Sequence, residues 1–191
     1  AHWRTLLDRA DRVIVPCEMN RETFVADGVR SPVRVVPHVR RHAWNGFAPD
    51  EVAAARARFG VADARFVFYT INTWDPRKAL GALLRTFVHA FRDDEGVALV
   101  VKTGPLGFGA PPLYPRTSTL ELAQAAVDDA TDELDRDAPP ISMLPNEFTG
   151  RGIDLVHELG DAYVTLPHGE GWALGMFDAA TRGTPVIATG W

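Results

Sequence analysis

Short, continuously apolar runs alternate along the chain with stretches in which apolar residues recur every three or four positions. The apolar runs predict seven strands, at 12–16, 33–37, 65–69, 97–102, 141–144, 162–166 and 185–188. Such continuous runs are typical of strands that are buried on both faces, as in parallel sheets. The intervening stretches predict helices at 3–11, 18–27, 50–59, 76–92, from about 118, 152–159 and 174–182. This alternation predicts an α/β fold with a Rossmann-like parallel sheet and flanking helices.

The helix predicted at 76–92 has the strongest pattern. Its apolar residues form one stripe that should face the core: Leu80, Leu83, Leu84, Phe87, Val88 and Phe91. Asp75 is placed to cap the helix, with Pro76 at its first position. Ser118 and Glu121 predict a capping box for the next helix, and Gly183 is a suitable residue to end the last one.

Composition narrows the class of protein. The 191 residues are 46% hydrophobic and 24% charged, as in soluble globular domains. A net charge of −5 argues against a general basic surface for nucleic acids, and a single cysteine, Cys17, excludes an internal disulfide framework and a cysteine-only zinc site. No run approaches the ~20 apolar residues of a membrane span, and the charged N-terminus is unlike a signal peptide. We therefore expect a cytoplasmic protein.

The segment from Tyr163 to Thr189 reads as strand, glycine-punctuated turn, helix and strand. Gly169 and Gly171 would let a ligand approach the backbone, and the following helix presents free N–H groups that suit an anion. A carboxylate in this turn, Glu170, suits the hydroxyls of a sugar, and Asp178 in the helix would also find partners in ligand hydroxyls. The alternative is a structural turn with a solvated Glu170 and with Asp178 capping a neighbouring loop.

Three cations follow predicted strand ends. Arg77 and Lys78 open a helix, where the helix dipole disfavours them unless an anion is near. Lys102 ends the strand at 97–102, and the irregular loop at 104–115 follows it. Ligands of open α/β sheets bind at this edge, so the three cations together would suit a diphosphate. The alternatives are a solvated face, on which Asp75 and Asp94 or Glu95 balance the first two cations, and a strand-end lysine reaching water.

Other polar residues favour plainer interpretations. Asp135-Arg136-Asp137 matches a metal-binding D-x-D pattern, but it lies in the acidic end of a helix, which favours a solvated face. His38 and His42 lie in a predicted linker without a third metal ligand. His168 precedes the glycine turn and has either a ligand-contacting or a structural role.

Several segments together resemble the retaining GT-B glycosyltransferases of the large family-4 group. The stretches Glu170-Gly171-Trp172-Ala173-Leu174 and Asp178 to Ala188 are similar to the family's E-G-[WF]-G-L-x-x-x-E-A-M-A-x-G-x-P-V-I-A segment. The run Trp74 to Leu80 resembles its R-K-G step. Weaker matches are Asp27-Gly28-Val29 with Val35-Val36-Pro37-His38, near the family's interdomain hinge, and the strand entry Gly160 to Val164.

The resemblance implies a domain plan and a function. Residues 1–40 would be the tail of the N-terminal acceptor domain, 41–49 the interdomain linker, and 50–191 a truncated nucleotide-sugar donor-binding domain. The implied activity is transfer of a sugar from a nucleoside-diphosphate sugar to an acceptor (a glycan, a lipid or a small molecule), with retention and without a metal or other cofactor. Both ends look cut from a longer chain, so we expect the chain alone to turn over poorly, and a missing N-terminal region would allow peripheral membrane association.

The resemblance also implies residue roles. Glu170 and Lys78 would be catalytic, with Glu170 on the transferred sugar and Lys78 on the leaving diphosphate. The remaining donor-binding residues would be Arg77, Lys102, His168, Gly169, Gly171, Trp172, Ala173, Leu174 and Asp178, the last on the ribose. Four positions depart from the family pattern: Asn72 replaces an arginine, Ala79 and Ala173 replace glycines, and Asp178 replaces a glutamate. A non-catalytic nucleotide-sugar-binding module and another NDP-sugar enzyme such as an epimerase are the alternative functions.

Overall fold

The computed structural model describes residues 2–39, 46–108 and 116–190, without the side chains of His2, Phe108 and Arg116. Two compact units make up the chain. The first consists of Ala1–Ala43 together with Glu170–Ala173, and the second of Trp44–Gly169 together with Leu174–Trp191. Of the predicted linker at 41–49, residues 41–45 lie outside the described residues, as does His42.

The first unit contains two helices and a pair of strands. They are α1 (His2–Leu7), β1 (Val13–Val15), α2 (Glu18–Ala26) and β2 (Val33–Val35). The strands run parallel, with Val13 opposite Val33. Val13 and Val15 are buried, whereas Ile14 between them is 67% exposed. Alternate residues of a strand point to opposite faces, so only one face of this strand pair is covered by the described residues.

The second unit is built on a five-stranded parallel sheet in the order β7-β4-β3-β8-β9. Its strands are β3 (Phe66–Ile71), β4 (Val97–Lys102), β7 (Ile141–Leu144), β8 (Ala162–Thr165) and β9 (Val186–Ala188). Its helices are α3 (Pro49–Arg58), α4 (Leu80–Ala90), α5 (Thr119–Leu134), α6 (Gly150–Leu159) and α7 (Leu174–Thr181). The predicted α/β fold with a parallel sheet is confirmed.

The sheet is covered on both faces, which explains its continuously apolar strands. Val67, Tyr69, Ala98 and Val100 belong to one core cluster, which also includes residues of α3, α6 and α7. Leu99 and Val101 face the other cluster, built with α4 and α5. Because alternate residues of β4 enter different cores, every position from Ala98 to Val101 must be apolar.

The order of the strands creates a switch in direction at the centre of the sheet. The chain first adds β4 and then β7 on one side of β3, and afterwards adds β8 and β9 on the other side. The connection that follows β3 leads toward β4, whereas the connection that follows β8 leads to the opposite side, toward β9. The loops at the carboxyl ends of β3 and β8 therefore diverge, which opens a crevice between them. These loops begin at Asn72 and Leu166.

One predicted helix is divided in two. The stretch at 76–92 was expected to be continuous, but Pro76–Lys78 form a single 3₁₀ turn and α4 begins only at Leu80. Ala79 between them has φ 52° and ψ 36°, a left-handed conformation that stops the first turn. The expected cap is confirmed for the 3₁₀ turn, since Asp75 accepts a hydrogen bond from Lys78 N. The buried stripe is confirmed from Leu80 to Val88, while Phe91 is half-buried.

One further expectation on local structure is wrong, and one segment expected to be a loop contains a short strand. Ser118 makes no side-chain cap to α5; the neighbouring Thr119 hydroxyl donates instead to the carbonyl oxygen of Gly104, at 2.8 Å. The segment at 104–115 is not wholly irregular, because β5 (Leu106–Phe108) pairs antiparallel with β6 (Arg116–Ser118). The intervening residues, 109–115, lie outside the described residues. Gly183 follows α7 with φ 81°, as expected for a residue that ends a helix.

Candidate functional site

Two loops of the second unit meet at the switch point of the sheet. One follows β3 and contains the predicted cations Arg77 and Lys78; the other follows β8 and contains His168 and Gly169. Strands β3 and β8 are direct neighbours, with Phe68 opposite Ala162. The topology therefore places two of the predicted segments beside each other, at the edge where α/β sheets bind ligands.

The loop after β3 is held by its own side chains. The carboxylate of Asp75 accepts from Lys78 N at 3.2 Å through Oδ1 and from the Thr73 hydroxyl at 3.0 Å through Oδ2. These bonds close the turn around Pro76, whose ring fixes its φ. Lys78 is half-buried and Arg77 is exposed. The turn thus presents two consecutive cationic residues on a short, internally bonded segment.

The loop after β8 is joined to that turn by two hydrogen bonds. The backbone N–H of His168 donates to the carbonyl oxygen of Arg77 at 2.8 Å. Arg77 Nη1 donates in the opposite direction, to the carbonyl oxygen of Gly169 at 2.6 Å. The His168 side chain is exposed, and a Cβ built on Gly169 would have open space around it. One arginine therefore contacts two consecutive residues of the glycine turn.

The next four residues, Glu170–Ala173, group with the first unit. The ring of Trp172 lies 5.5 Å from the ring of His38, and the carbonyl oxygen of Gly171 lies 4.0 Å from the Cys17 sulfur. Glu170 is half-buried. His38 was interpreted as a linker residue, and nothing in its sequence neighbourhood indicated the ring contact with Trp172.

Helix α7 begins directly after this turn. Its first residue, Leu174, is exposed, and Asp178 in its second turn is half-buried, so part of the Asp178 side chain is open to solvent. Gly175 is required by packing: a Cβ there would lie 2.5 Å from the Tyr163 hydroxyl and 3.0 Å from the Ile71 carbonyl. The start of the helix consequently lies against the carboxyl end of β3.

Lys102 ends β4 but is only 8% exposed. Its Nζ donates to the carbonyl oxygen of Thr103 at 2.6 Å and lies 5.2 Å from the centre of the Phe148 ring. Burial lowers the pKa of this ammonium, and the carboxylate of Glu147 acts in the opposite direction. An ammonium has three protons to donate, so an anionic or hydroxyl-bearing ligand would add to its partners.

Asn72 at the end of β3 was not among the predicted donor-binding residues. Its side-chain amide donates to the Thr70 hydroxyl at 2.9 Å and to the Thr165 hydroxyl at 3.2 Å, which joins β3 to β8 at the switch point. The signal in the sequence was its position directly after a buried strand. The amide makes these contacts within the sheet, where the family pattern has an arginine.

A buried polar pair lies deeper in the same unit. His157 is 2% exposed, and its Nδ1 is hydrogen-bonded to the Tyr69 hydroxyl at 2.9 Å. Burial lowers the pKa of His157 to about 4; the positive charge of Arg182 acts in the same direction, and Asp154 opposes it. Burial also raises the pKa of the Tyr69 hydroxyl. Both groups are therefore neutral near pH 7, and neither was predicted from the sequence.

The D-x-D pattern at 135–137 lies on the surface of the second unit. Asp135 and Asp137 are exposed, and Arg136 between them donates to the carbonyl oxygens of Val88 and His89 at the end of α4. Within 2–39, 46–108 and 116–190, no group of three or more His, Cys, Asp or Glu residues is placed to hold a metal ion. In the same ranges, no helix has the length and apolar character to cross a membrane.

Curated proteins similar to this chain are glycosyltransferases. A D-inositol 3-phosphate glycosyltransferase of Saccharomonospora viridis is 30% identical over 186 residues, which cover 94% of this chain and 39% of that protein. An enzyme with the same name from Mycobacteroides abscessus is 27% identical over 183 residues, or 96% of this chain and 38% of the relative. The chain thus spans about two-fifths of the length of these relatives. No protein-family profile matches it.

Solved structures share the fold of this chain. The Anabaena HepE protein in complex with UDP and glucose superposes with a TM-score of 0.69 at 17% identity, over 96% of this chain and 46% of that one. Sucrose-phosphate synthase from Thermosynechococcus elongatus gives a TM-score of 0.63 at 17% identity, over 97% of this chain and 42% of that one. These likenesses establish the fold, which is that of GT-B glycosyltransferases. The resemblance inferred from the sequence is confirmed.

Proposed function

We propose that this chain is the donor-binding part of a glycosyltransferase that uses a nucleoside-diphosphate sugar and retains its anomeric configuration. The observation that carries the proposal is the meeting of the two loops at the switch point, one with Arg77 and Lys78 and the other leading into Glu170. The relatives named as glycosyltransferases and the neighbours with UDP or glucose bound support the same substrate class.

The chemistry divides between the two loops. Cleavage of the sugar–phosphate bond leaves negative charge on the diphosphate, and Lys78 would stabilise that charge at a fixed position in a turn that needs no rearrangement. Lys102 would contribute a second, largely desolvated cation. We propose these side chains, in place of a metal ion, as the counter-charge to the leaving group.

The turn and helix after β8 would hold the rest of the donor. Glu170 would accept hydrogen bonds from hydroxyls of the transferred sugar, and Asp178 would bind the ribose hydroxyls. The backbone of Gly169, Gly171, Trp172, Ala173 and Leu174, with His168 beside it, would line the sugar and diphosphate. Open space at both glycines is consistent with a ligand against the backbone at these positions.

Calorimetric titration with UDP and with UDP-glucose tests the roles proposed for Glu170 and Asp178. GDP and ADP, each paired with its sugar nucleotide, are measured in the same way. Each of Glu170→Ala and Asp178→Ala should weaken sugar-nucleotide binding by roughly 1–3 kcal/mol, the range for hydrogen bonds to a charged group. Losing Asp178 should weaken nucleotide and sugar nucleotide alike, because both carry the ribose. Losing Glu170 should weaken the sugar nucleotide more than the bare nucleotide.

Asp135→Ala is the matched control, because it removes an exposed carboxylate far along the sequence from both loops and should leave every affinity unchanged. Unchanged affinities for Glu170→Ala and Asp178→Ala would show that the site assignment is wrong. Donor binding without transfer by the longer protein would favour the alternative of a non-catalytic binding module. Acceptors in the transfer assay should include an inositol phosphate, after the name of the relatives, and the anomeric proton of the product reports retention.

A further inference from the structure

Both the backbone and the side chain of Arg77 form hydrogen bonds with the neighbouring loop of the protein, so this residue does more than face a ligand. Its backbone carbonyl accepts from His168 N at 2.8 Å, while its guanidinium donates to the carbonyl oxygen of Gly169 at 2.6 Å. The two bonds run in opposite directions and reach consecutive residues, so they fix both the separation of the two loops and the orientation of the glycine turn. The arginine side chain is thereby engaged with the protein itself.

The segment that supports Arg77 is rigid enough to act as an anchor. Asp75 accepts hydrogen bonds from Thr73 and from Lys78, which bracket the arginine. Pro76 fixes its own φ, and Ala79 ends the turn in a left-handed conformation. The guanidinium held on this base is planar and presents its donors in a fixed fork.

The carbonyl that Arg77 holds belongs to the peptide linking Gly169 to Glu170. A peptide unit is planar, so fixing the direction of the Gly169 carbonyl also fixes the direction of the Glu170 N–H. Gly169 has no side chain to restrict its own backbone, and a Cβ built there would touch nothing within 4 Å. The contact with Arg77 therefore supplies an orientation that the glycine does not supply locally.

We propose that Arg77 is a positioning residue, which orients the Gly169–Glu170 peptide and through it the carboxylate of Glu170, rather than a counter-charge for the diphosphate. The inference rests on the proposed function, in which Glu170 contacts the transferred sugar. It assigns the two neighbouring cations different tasks: Lys78 acts on the leaving group, and Arg77 acts on the turn that contacts the sugar.

The variant Arg77→Met keeps the apolar stem and removes the charge and the donors. Titration with UDP and UDP-glucose should give an affinity for UDP within twofold of the parent chain and an affinity for UDP-glucose lowered at least tenfold. A counter-charge role would lower both affinities by the same factor, and this outcome would overturn the inference. Equal affinities of variant and parent for both ligands would also overturn it.

A matched control is Arg85→Met, which removes an exposed arginine from α4 and changes the net charge equally. It should leave both affinities unchanged, and a loss equal to that of Arg77→Met would mean that net charge alone is responsible. Failure of the parent chain to bind any of the nucleotide pairs would instead count against the proposed function.

A second measurement needs no ligand. Hydrogen exchange of the His168 amide should be faster in Arg77→Met than in the parent chain and in Arg85→Met, because the turn has lost the guanidinium bond that joins it to the 3₁₀ segment. Unchanged protection of this amide would show that the arginine does not order the turn, and it would overturn the inference even if binding were altered.

Discussion

At the scale of single residues, two alanines have backbone angles that favour glycine. Ala79 has φ 52° and Ala173 has φ 61°, and both stand where the resembling glycosyltransferases have glycine. A left-handed conformation costs a residue with a Cβ roughly 1–2 kcal/mol. Because both alanines end a turn directly before a helix, the surrounding structure imposes these angles against the preference of the side chain.

Ala79→Gly should stabilise the chain. Relief of the left-handed conformation outweighs the extra freedom of glycine in the unfolded state, so we expect a net gain of roughly 0.5–1 kcal/mol. Ala82→Gly, in the first turn of α4, is the matched control and should destabilise the chain, since no left-handed angle is relieved there. Urea denaturation of the two variants gives both values, and a loss of stability in Ala79→Gly would contradict the assignment of strain.

His157 should make the stability of the fold depend on pH. Its pKa is about 4 in the folded chain and near 6.5 when unfolded, so the unfolded state binds more protons between these values. The contribution of the neutral imidazole to stability should therefore be fully present above pH 6.5. The free energy of unfolding should fall by up to ~3 kcal/mol as the pH is lowered from 6.5 to 4. Urea denaturation at a series of pH values measures this slope.

The variant His157→Gln isolates that effect. Whatever its own stability, it should lack the part of the slope between pH 6.5 and 4 that comes from the buried imidazole. His89→Gln removes a histidine on α4 whose side chain is 40% exposed, and it should keep the slope of the parent chain. Equal slopes in His157→Gln and the parent would mean that the imidazole is not the group responsible.

At the scale of elements, the sequence predicted the types and order of the central strands and helices well, because burial in the two cores sets their apolar pattern. The strands at 97–102 and 141–144 have the predicted bounds, since their apolar runs coincide with what the two cores must cover. The break at Ala79 was not predictable from the apolar stripe of α4. The apolar residues from Leu80 to Val88 keep the same helical spacing whether or not the turn before them continues the helix. The pairing of β5 with β6 was missed because neither strand, LGF or RTS, has the continuous apolar run that marked the other short strands.

The glycine turn allows ligand contact to be separated from folding. Gly169→Ala and Gly171→Ala place a Cβ where nothing lies within 4 Å, so their stability should stay within about 0.5 kcal/mol of the parent chain. If a donor lies against this backbone, each added methyl group should nevertheless reduce the affinity for UDP-glucose, by tenfold or more. Thermal denaturation and calorimetry on the same samples measure both quantities.

Gly175→Ala provides the opposite case. Its Cβ would lie 2.5 Å from the Tyr163 hydroxyl and 3.0 Å from the Ile71 carbonyl, so this variant should lose stability through displacement of α7. A loss of stability in Gly169→Ala as large as that in Gly175→Ala would show that the first turn is packed rather than open. Full affinity in Gly169→Ala and Gly171→Ala would place the donor elsewhere.

At the scale of the whole molecule, donor binding and transfer should be separable. The chain spans about two-fifths of the length of its curated relatives, and it contains both loops of the switch point. We expect this chain to bind a nucleotide sugar. In the presence of acceptor, its rate of nucleotide release should be under about 1% of the rate of a longer protein that includes it, which corresponds to a loss of roughly 2.7 kcal/mol of transition-state stabilisation. Assays of nucleotide release on both proteins measure this ratio, and equal rates would contradict it.

The sequence predicted which residues of the candidate site follow the ends of strands, but it did not predict which of them contact one another. Arg77 and Gly169 lie beside each other in the fold because β3 and β8 are neighbours, and the sequence indicated the strands but not their order. The burial of Lys102 against Phe148 depends on a loop after β7 that carries no pattern of its own. The contact of Arg77 with Gly169 required coordinates, because neither residue indicates the other at a separation of more than ninety positions.

The pairing of β3 with β8 also has a consequence for the synthesis of the protein on the ribosome. Strand β3 can pair with β4, and β4 with β7, while the chain is still growing, but Phe68 must wait for Ala162 before the other edge of β3 is covered. Until then the central strand exposes a row of backbone groups to any other extended chain. A nascent chain released before β8 would retain most of one core and lack the crevice, and would be a substrate for chaperones or for aggregation rather than a partly active protein.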